Sequence, residues 1–432
     1  MGCIPQPSHV LRRHWLKDVD WIAALDGFEQ EFGSADLFAV DVPGRVCVLG
    51  DHSDYVPYLK ATIVTFASSE QRMRALISPR KDRIVRIRSS LDGCENTELT
   101  IDVDVVERNS NWLDVLNSRD NVSPHWSNYV RGAVAYSMYI HRIDFGFDMY
   151  IHSTIPSSSG TSSSSALTLC GLVAAHLSND LPWNREELSL MGGQAEWYVG
   201  TRGGAMDHAT MMCAEKNSML KLEFGGRGFS AEQLDVGPND CGWYTVFTHP
   251  ADKGGPVLDA FNELANVQQS TINDLLEKIG FEHHRGHDGL RCSMNGGGVK
   301  WQEVADALPE FVESKEGVKV RVRDRFRYVM REYRRAILFA DAVAEGDRGA
   351  ISRLLEESWI DTRVLLGTHT EEMELVAAGL RQMGGVLGVK VLGAGFGGNL
   401  LVYAEDAADL GGRFIKHTPG SGLRLIDVES DD

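Results

Sequence analysis

The first half of the chain carries short apolar runs that alternate with stretches of helical spacing. Between about residues 37 and 105, β-branched residues dominate five segments, and this pattern predicts strands over LFAVDVPG, RVCVLG, ATIVTFAS, MRALIS and DRIVRIRSS. A further strand is predicted at 147–155. Helices are predicted where apolar residues recur three and four positions apart or fill a longer run, at 15–33, 126–140, 165–177 and 185–200.

The second half is mainly helical and ends in strands. Glycine and polar residues are frequent at 225–240, over GGRGFSAEQLDVGPND. We therefore place a boundary there between an N-terminal domain (1–230) and a C-terminal domain (240–432). Strand WYTVFTH precedes helices at 256–280 and 326–347. The final helix, two strands, a short helix and strand LRLIDV predict an α+β fold whose C-terminal domain has ferredoxin-like βαβ elements.

Composition narrows the class of function. The chain has 432 residues, 43% of them hydrophobic. This length is too great for one ordinary hydrophobic core, so we expect two domains. Its formal net charge of −18 argues against nucleic acid or an anionic membrane as a partner, because both need a basic surface. Seven scattered cysteines without a C-x-x-C pair favour free thiols, and the chain lacks a long apolar window for a membrane span. We therefore expect a cytoplasmic protein.

A serine-rich segment, IPSSSGTSSSSAL at 155–167, joins a predicted strand to a predicted helix. Its small side chains allow the backbone to approach a ligand, and the N-terminus of the helix offers free N–H groups to an anion such as phosphate. Serine hydroxyls also suit Mg²⁺, which prefers oxygen ligands. A flexible surface loop with a serine cap is the alternative.

Acidic residues follow apolar or glycine-rich segments at two places. Asp51, His52 and Asp54 come directly after strand RVCVLG, either on a solvated turn or around a polar ligand. Asp207 follows a glycine turn in EWYVGTRGGAMDHATM at 196–211 and is a candidate base. A surface aspartate that caps the next helix is the alternative for Asp207.

A G-x-G-x-x-G pattern occurs in GVKVLGAGFGGNLLVY, at Gly393, Gly395 and Gly398. In a dinucleotide-binding fold these glycines open a helix, whereas here they run directly into a strand-like segment. We expect a glycine-rich hairpin that lines a cleft. A tight turn without a ligand is the alternative.

In their order along the chain, the motifs PGRVxxLGxHxDY, PxxxGxSSS, GxMD and GAGFGG resemble those of the GHMP small-molecule kinases, in the galactokinase and N-acetylgalactosamine kinase-like branch. The resemblance runs from about residue 38 to about 405. It implies the two-domain GHMP kinase fold with the active site in the cleft between the domains. The implied reaction transfers the γ-phosphoryl group of ATP to the anomeric hydroxyl of a monosaccharide, either galactose-like, N-acetylated or acidic.

The resemblance also implies roles for individual residues. Asp207 and Arg45 match the catalytic positions, and Glu196 matches a magnesium carboxylate, with Ser163 or Ser164 as the hydroxyl ligand. The implied sugar-binding residues are Asp51, His52, Asp54 and Gly204. The implied ATP-binding residues of the serine loop are Gly160, Ser162, Ser163, Ser164 and Ser165.

The chain departs from the family pattern at several of these motifs. Ser158 replaces the first glycine of the phosphate loop, His208 replaces a glutamine after the catalytic aspartate, and Phe261 replaces a sugar-contacting tyrosine. Arg202 is a candidate handle for an acidic sugar, with a solvated loop arginine as its alternative. Two other functions stay open: a sugar- and ATP-binding sensor without turnover, and a GHMP kinase for a non-sugar alcohol.

Overall fold

The computed structural model describes residues 18–91, 94–100, 111–117, 125–157, 159–226, 228–251, 255–284, 291–313 and 319–426. Ser158, which replaces the first glycine of the phosphate-loop pattern, lies outside these ranges, as do residues 427–432. The helices over the described residues are α1 Val19–Phe32, α2 Trp112–Asn117, α3 Trp126–His141, α4 Ser163–Ser178, α5 Arg185–Glu196, α6 Met206–Cys213, α7 Gly255–Asn266, α8 Ile272–Lys278, α9 Trp301–Ala307, α10 Val322–Glu345, α11 Arg348–Asp361 and α12 Glu371–Leu380.

A large sheet is built from both ends of the described chain, in the order β18-β1-β2-β5-β3-β4; β6 and β17 also pair with the long strand β2, and β7 pairs with β6. Strand β2 has 19 residues and pairs β6 through its first part and β5 through its last part. Its strands are β1 Phe38–Leu49, β2 Ala61–Pro79, β3 Ile84–Ser89, β4 Thr97–Thr100, β5 Phe147–Ser153, β6 Met219–Gly225, β7 Gly228–Leu234, β17 Pro419–Gly420 and β18 Arg424–Ile426.

A second sheet has the order β14-β15-β8-β16, and every pair in it is antiparallel. Two smaller antiparallel sheets, β9 to β11 and β12 with β13, lie between β8 and α10 in the sequence. The strands are β8 Cys241–His249, β9 Phe281–His284, β10 Arg291–Met294, β11 Gly297–Lys300, β12 Val312–Glu313, β13 Lys319–Val320, β14 Val386–Val391, β15 Gly398–Glu405 and β16 Phe414–His417.

The structure confirms the predicted helices at 126–140, 165–177, 185–200 and 326–347, with ends that shift by a few residues. It corrects three local predictions. Strand LRLIDV contributes β18 to the large sheet, where it pairs with β1 rather than with the C-terminal layer. Residues 406–413 form turns where a short helix was expected. Part of segment 225–240, which was expected to be a domain boundary, forms strand β7, which pairs with β6.

Hydrophobic packing joins the two halves of the chain. One buried cluster contains Val46 and Phe66 of the large sheet together with Trp243, Phe339 and Tyr403 from the second half. A separate cluster packs α3 and α4 against the large sheet. The division into residues 1–230 and 240–432 stays a prediction. Over the described residues, no helix combines the length and apolar character needed to cross a membrane.

Candidate active site

Segments far apart in the sequence line one cavity. The turn after β1 contributes Asp51 to Tyr55, and the loop and first turn of α4 contribute the serines. The loop before α6 contributes the segment that ends at Asp207. The glycine hairpin at 393–397 and the apolar residues Val257, Leu258 and Phe261 of α7 complete the lining. The hairpin between β14 and β15 is confirmed by their antiparallel register.

Arg45 and Asp207 form a two-pronged ion pair at the centre of this cavity. Arg45 Nε donates to Asp207 Oδ1 at 2.5 Å and Nη2 donates to Oδ2 at 3.2 Å. Burial acts to raise the pKa of Asp207, but the charge and hydrogen bonds of Arg45, with a bond from Ser162, outweigh it and the pKa falls below its usual value. Asp207 is therefore ionised at neutral pH.

The serine loop is tied to both Asp207 and the glycine hairpin. Ser162 Oγ donates to Asp207 Oδ2 at 2.5 Å and does not cap α4 with its side chain. Gly160 has φ 83°, and a Cβ there would lie 2.8 Å from the Leu392 carbonyl oxygen, so this close approach requires glycine. Asn399 N–H donates to the Ser159 carbonyl at 3.0 Å. These contacts hold the N-terminus of α4 at the cavity wall, where its N–H groups suit an anion.

Asp54 faces the same cavity without a matched cation at its side. Its Oδ2 accepts from Met206 N–H at 2.9 Å. Burial raises the pKa of Asp54 to about 6, and this effect exceeds that of the backbone hydrogen bond. A Cβ at Gly204 would lie 2.2 Å from Asp54 Oδ2, so only glycine fits at this position of the loop.

His52 is held in one tautomer by its two neighbours. Its Nε2 lies 3.1 Å from the Ala394 carbonyl oxygen, and its Nδ1 lies 3.0 Å from the Tyr55 hydroxyl. Because a carbonyl oxygen only accepts, Nε2 carries the proton and Nδ1 accepts from Tyr55. Burial lowers the pKa of His52, so the ring is neutral. His52 thereby connects the turn after β1 to the glycine hairpin.

Asp51 lies in the lining but its charge is matched inside the protein. Lys390 Nζ donates to Asp51 Oδ2 at 2.5 Å and to the Val391 carbonyl at 2.7 Å. Within the described residues, Asp51 Oδ1 is buried without a hydrogen-bond partner. Sequence reasoning missed Lys390. The sequence did contain a signal for it, because Lys390 is a lone lysine inside the apolar strand VKVLG. A lysine buried in such a strand needs an acidic partner.

Helix α10 supports the turn that carries Asp51, and this support was also missed from the sequence. Glu332 Oε1 accepts from Gly50 N–H at 2.9 Å, and the Tyr328 hydroxyl donates to the Asp51 carbonyl at 3.0 Å. Glu332 is fully buried and pairs with Arg335. Burial acts to raise the pKa of Glu332, but Arg335 and Lys390 outweigh it, and the pKa lies below its usual value. The turn is thus anchored to a buried charge.

The oxygen ligands predicted for Mg²⁺ lie near one another but in a different arrangement from the one expected. Ser163, Ser164 and Glu196 all line the cavity. It is Ser165, however, whose Oγ donates to Glu196 Oε1 at 2.9 Å and lies 3.4 Å from Asp207 Oδ2. Carboxylate and hydroxyl oxygens suit a hard cation. In the described ranges, no group of three or more His, Cys, Asp or Glu side chains is placed to hold a metal ion.

The residues that depart from the family pattern fall in different places. Phe261 lines the cavity, with its ring 5.9 Å from that of His52. His208 is buried beneath Asp207, and burial lowers its pKa to about 4. Arg202 is absent from the described lining, and its guanidinium stacks on Trp197, 5.1 Å from the ring centre. The structure therefore does not support Arg202 as a handle for an acidic sugar.

A helix N-terminus that suits phosphate, the Arg45–Asp207 ion pair and the carboxylates of the turn after β1 line one cavity, as a small-molecule kinase site requires, and comparisons with known proteins agree. Residues 128–215 match the family model of the GHMP kinases N terminal domain, and residues 26–60 match the galactokinase galactose-binding signature. Galactokinase from Lactobacillus helveticus is 24% identical over 398 residues, which cover 90% of this chain and 92% of that protein. Galactokinase from Exiguobacterium sibiricum is 27% identical over 394 residues, 88% of this chain and 87% of that protein.

Solved structures show the same fold. The crystal structure of Lactococcus lactis galactokinase complexed with galactose superposes with a TM-score of 0.73 at 22% identity and covers 94% of this chain and 100% of that one. The two family models and the galactokinase relatives support assignment of the chain to the GHMP kinases, in their galactokinase-like branch. The expected two-domain α+β fold is confirmed, and membership in a kinase family implies ATP as the phosphoryl donor.

Proposed function

We propose that the protein is an ATP-dependent sugar 1-kinase, which transfers the γ-phosphoryl group of ATP to the anomeric hydroxyl of galactose or a closely similar hexose. The observation that carries this proposal is the Arg45–Asp207 pair, set between the serine loop and the acidic turn after β1. Relatives named galactokinase over nearly the whole chain support the substrate class. A galactose-binding signature over the turn supports it as well.

In this proposal Asp207 orients the anomeric hydroxyl and accepts its proton as the oxygen attacks the γ-phosphorus. Arg45 keeps Asp207 ionised and places positive charge next to the transferring group. Phosphoryl transfer needs little covalent help from the protein, so positioning and charge neutralisation supply most of the rate. The fixed geometry of the pair, with Ser162 as a third contact, suits this role.

The sugar is held at the other end of the cavity. Asp54 accepts from sugar hydroxyls, which are donors, with Asp51 beside it in the cavity lining, and the Gly204 backbone lets the sugar approach. Neutral His52 stays a spacer and orienting group between the turn and the hairpin. Phe261 offers an apolar face and no hydroxyl, so it packs against the carbon face of the ring. Neutral hexoses are favoured over acidic ones because Arg202 is engaged with Trp197.

The nucleotide phosphates lie at the serine loop and the N-terminus of α4, with Gly160 and Ser162 to Ser165 around them. Mg²⁺ neutralises the phosphate charge when it is bound, and Glu196 with Ser165 are the residues that would hold it, beside the predicted Ser163 or Ser164. Hydroxyl and carboxylate oxygens fit the preference of this cation.

The test is a coupled assay of ADP formation against a panel of neutral, N-acetylated, acidic and seven-carbon sugars, with mevalonate as a non-sugar alcohol. We expect turnover with galactose or one near relative. Binding of sugar and ATP without ADP formation would identify a sensor instead. Turnover with mevalonate alone would move the chain to a non-sugar branch of the family.

A further inference from the structure

A second cavity lies outside the candidate active site, between helices α10 and α11 and beside the start of α9. It has a volume of about 630 Å³. Helix α10 contributes residues spaced three and four apart, so they share one face of the helix, and α11 contributes a facing row. None of the described residues that line it also line the candidate active site. The lining residues used below are Trp301, Arg331, Arg334, Arg335, Arg353 and Asp361.

The cavity lining carries excess positive charge. Four arginines (Arg331, Arg334, Arg335 and Arg353, here called the arginine groove) face two acidic residues, Glu357 and Asp361, in a chain whose formal net charge is −18. Arg331 and Arg335 share Asp361 at 2.9 and 2.7 Å, and Arg353 lies 3.8 Å from Glu357. Arg334 makes no ion pair with any acidic residue in the described ranges. A cationic cleft on an acidic protein concentrates anions.

A buried donor in the same cavity lacks an acceptor. Trp301 is only 6% exposed, and its indole Nε1–H has no hydrogen-bond partner among the described residues. Leaving a buried donor without an acceptor is unfavourable. The observation that points to an anionic ligand is the excess of arginines over acidic residues, with Arg334 outside any ion pair in the described ranges.

We propose that the arginine groove is a second anion site that takes a small organic phosphate. Guanidinium groups match phosphate oxygens in pairs, which favours phosphate over a spherical anion. Arg334 and Arg353 are the exposed cations available to the ligand, Arg353 having only a long 3.8 Å contact with Glu357, because Arg335 is buried and committed to Glu332 and Asp361. Leu338 and Ile360, both partly exposed in the lining, give the organic part of the ligand an apolar wall.

The groove is connected to the sugar-binding turn by a short path of contacts. Arg335 Nε donates to Glu332 Oε2 at 2.7 Å, and Glu332 Oε1 accepts from Gly50 N–H, the residue before Asp51. An anion that pairs with the exposed Arg331 takes it from Asp361, and Asp361 then draws more strongly on Arg335, which it shares with Glu332. The turn after β1 then loses part of its anchor. We therefore expect occupancy of the groove to weaken sugar binding, and this second step rests on the proposed function.

Isothermal titration with inorganic pyrophosphate tests the binding step. The double variant Arg334→Gln/Arg353→Gln changes two exposed side chains of the groove. Arg327→Gln is the matched control, because Arg327 also lies on α10 and is partly exposed but pairs with Asp306 outside the groove. We expect the wild-type and Arg327→Gln proteins to share a pyrophosphate site that the double variant weakens at least about tenfold. Equal affinity in all three proteins overturns the proposal.

Titration with galactose, with and without pyrophosphate and in metal-free buffer, tests the coupling. Coupling free energies are typically 1–3 kcal/mol, so pyrophosphate should raise the Kd for galactose at least about fivefold in the wild-type protein and not in the double variant. An equal rise in the double variant assigns the effect to the nucleotide loop and overturns the coupling. The pyrophosphate titration requires no turnover, so failure of the groove and failure of the proposed function give different results.

Discussion

The two ends of the candidate active site hold a half-buried carboxylate in opposite ways. At the phosphate end, Asp207 is gripped by Arg45 and Ser162, and its pKa falls below the usual value despite burial. At the sugar end, Asp54 has a backbone N–H as its hydrogen-bond donor, and burial raises its pKa to about 6. In the proposed function this difference corresponds to two tasks. Asp207 stays ionised to accept the proton of the attacking hydroxyl, whereas Asp54 has acceptor capacity left for sugar hydroxyls.

The largest expected effect comes from Asp207→Asn. This change removes the proton acceptor and leaves the buried Arg45 without its counter-charge. Removing a general base typically lowers kcat by about 10²–10⁴-fold, and we expect a loss of that size in the coupled ADP assay. Circular dichroism establishes that the variant folds. Turnover within tenfold of wild type would take Asp207 out of the mechanism.

The second-largest effect is expected from Arg45→Met, which tests whether Arg45 is the reason that the pKa of Asp207 is lowered while that of Asp54 is raised. With the cation gone, burial is left to raise the pKa of Asp207, so its acidic limb in the pH profile of kcat should move upward. The loss of a preorganised charge also lowers kcat by about 10²–10³-fold. Arg45→Lys is the control, because it keeps the charge but loses the two-pronged geometry. An unmoved acidic limb in Arg45→Met would contradict the assigned role of the pair.

Gly204→Ala should affect sugar binding more than chemistry. The added Cβ would overlap Asp54 Oδ2 and push the carboxylate from its place. A hydrogen bond to a charged group is worth about 1.5–3 kcal/mol, so the KM for the sugar should rise at least about tenfold, with a smaller change in kcat. Gly379→Ala is the matched control, because a Cβ there meets no atom within 4 Å. Equal KM values in the two variants would argue against a sugar role for Asp54.

The smallest effect at neutral pH, and the most specific, is the titration of Asp54. Because its pKa is raised to about 6, the carboxylate takes up a proton at a pH where an ordinary aspartate is still ionised. The kcat/KM for the sugar should therefore fall about tenfold per pH unit below pH 6. In Asp54→Asn the value should be lower throughout and should lose this slope. A slope that survives the substitution belongs to another group.

Much of this architecture could be predicted from local pattern. The apolar run at 165–177 predicts the buried helix α4, and the glycines at 393–398 predict a hairpin because they lead into a strand. Gly192 and Gly193 lie inside α5, where glycine lowers helix propensity, yet the helix continues through both. The reason is packing: a Cβ at Gly192 would lie 2.3 Å from the His208 ring.

Long-range partners could not be predicted in the same way. Strand β18 shows a strand pattern, but nothing local says that its partner is β1, nearly 400 positions earlier. Lys390 and Glu332 lie on elements whose facing residues depend on how the two halves of the chain pack. Likewise, which serine meets Glu196 depends on the residue at which α4 begins. A helix that starts at Ser163 turns Ser165 toward Glu196.

The division of labour between the two carboxylates is tested most directly by isothermal titration of galactose into Asp207→Asn and Asp54→Asn. The account predicts that Asp207→Asn, although inactive, binds galactose within a few-fold of the wild-type Kd, and that Asp54→Asn binds it at least about tenfold more weakly. The opposite result, with sugar affinity lost in Asp207→Asn and kept in Asp54→Asn, would contradict it.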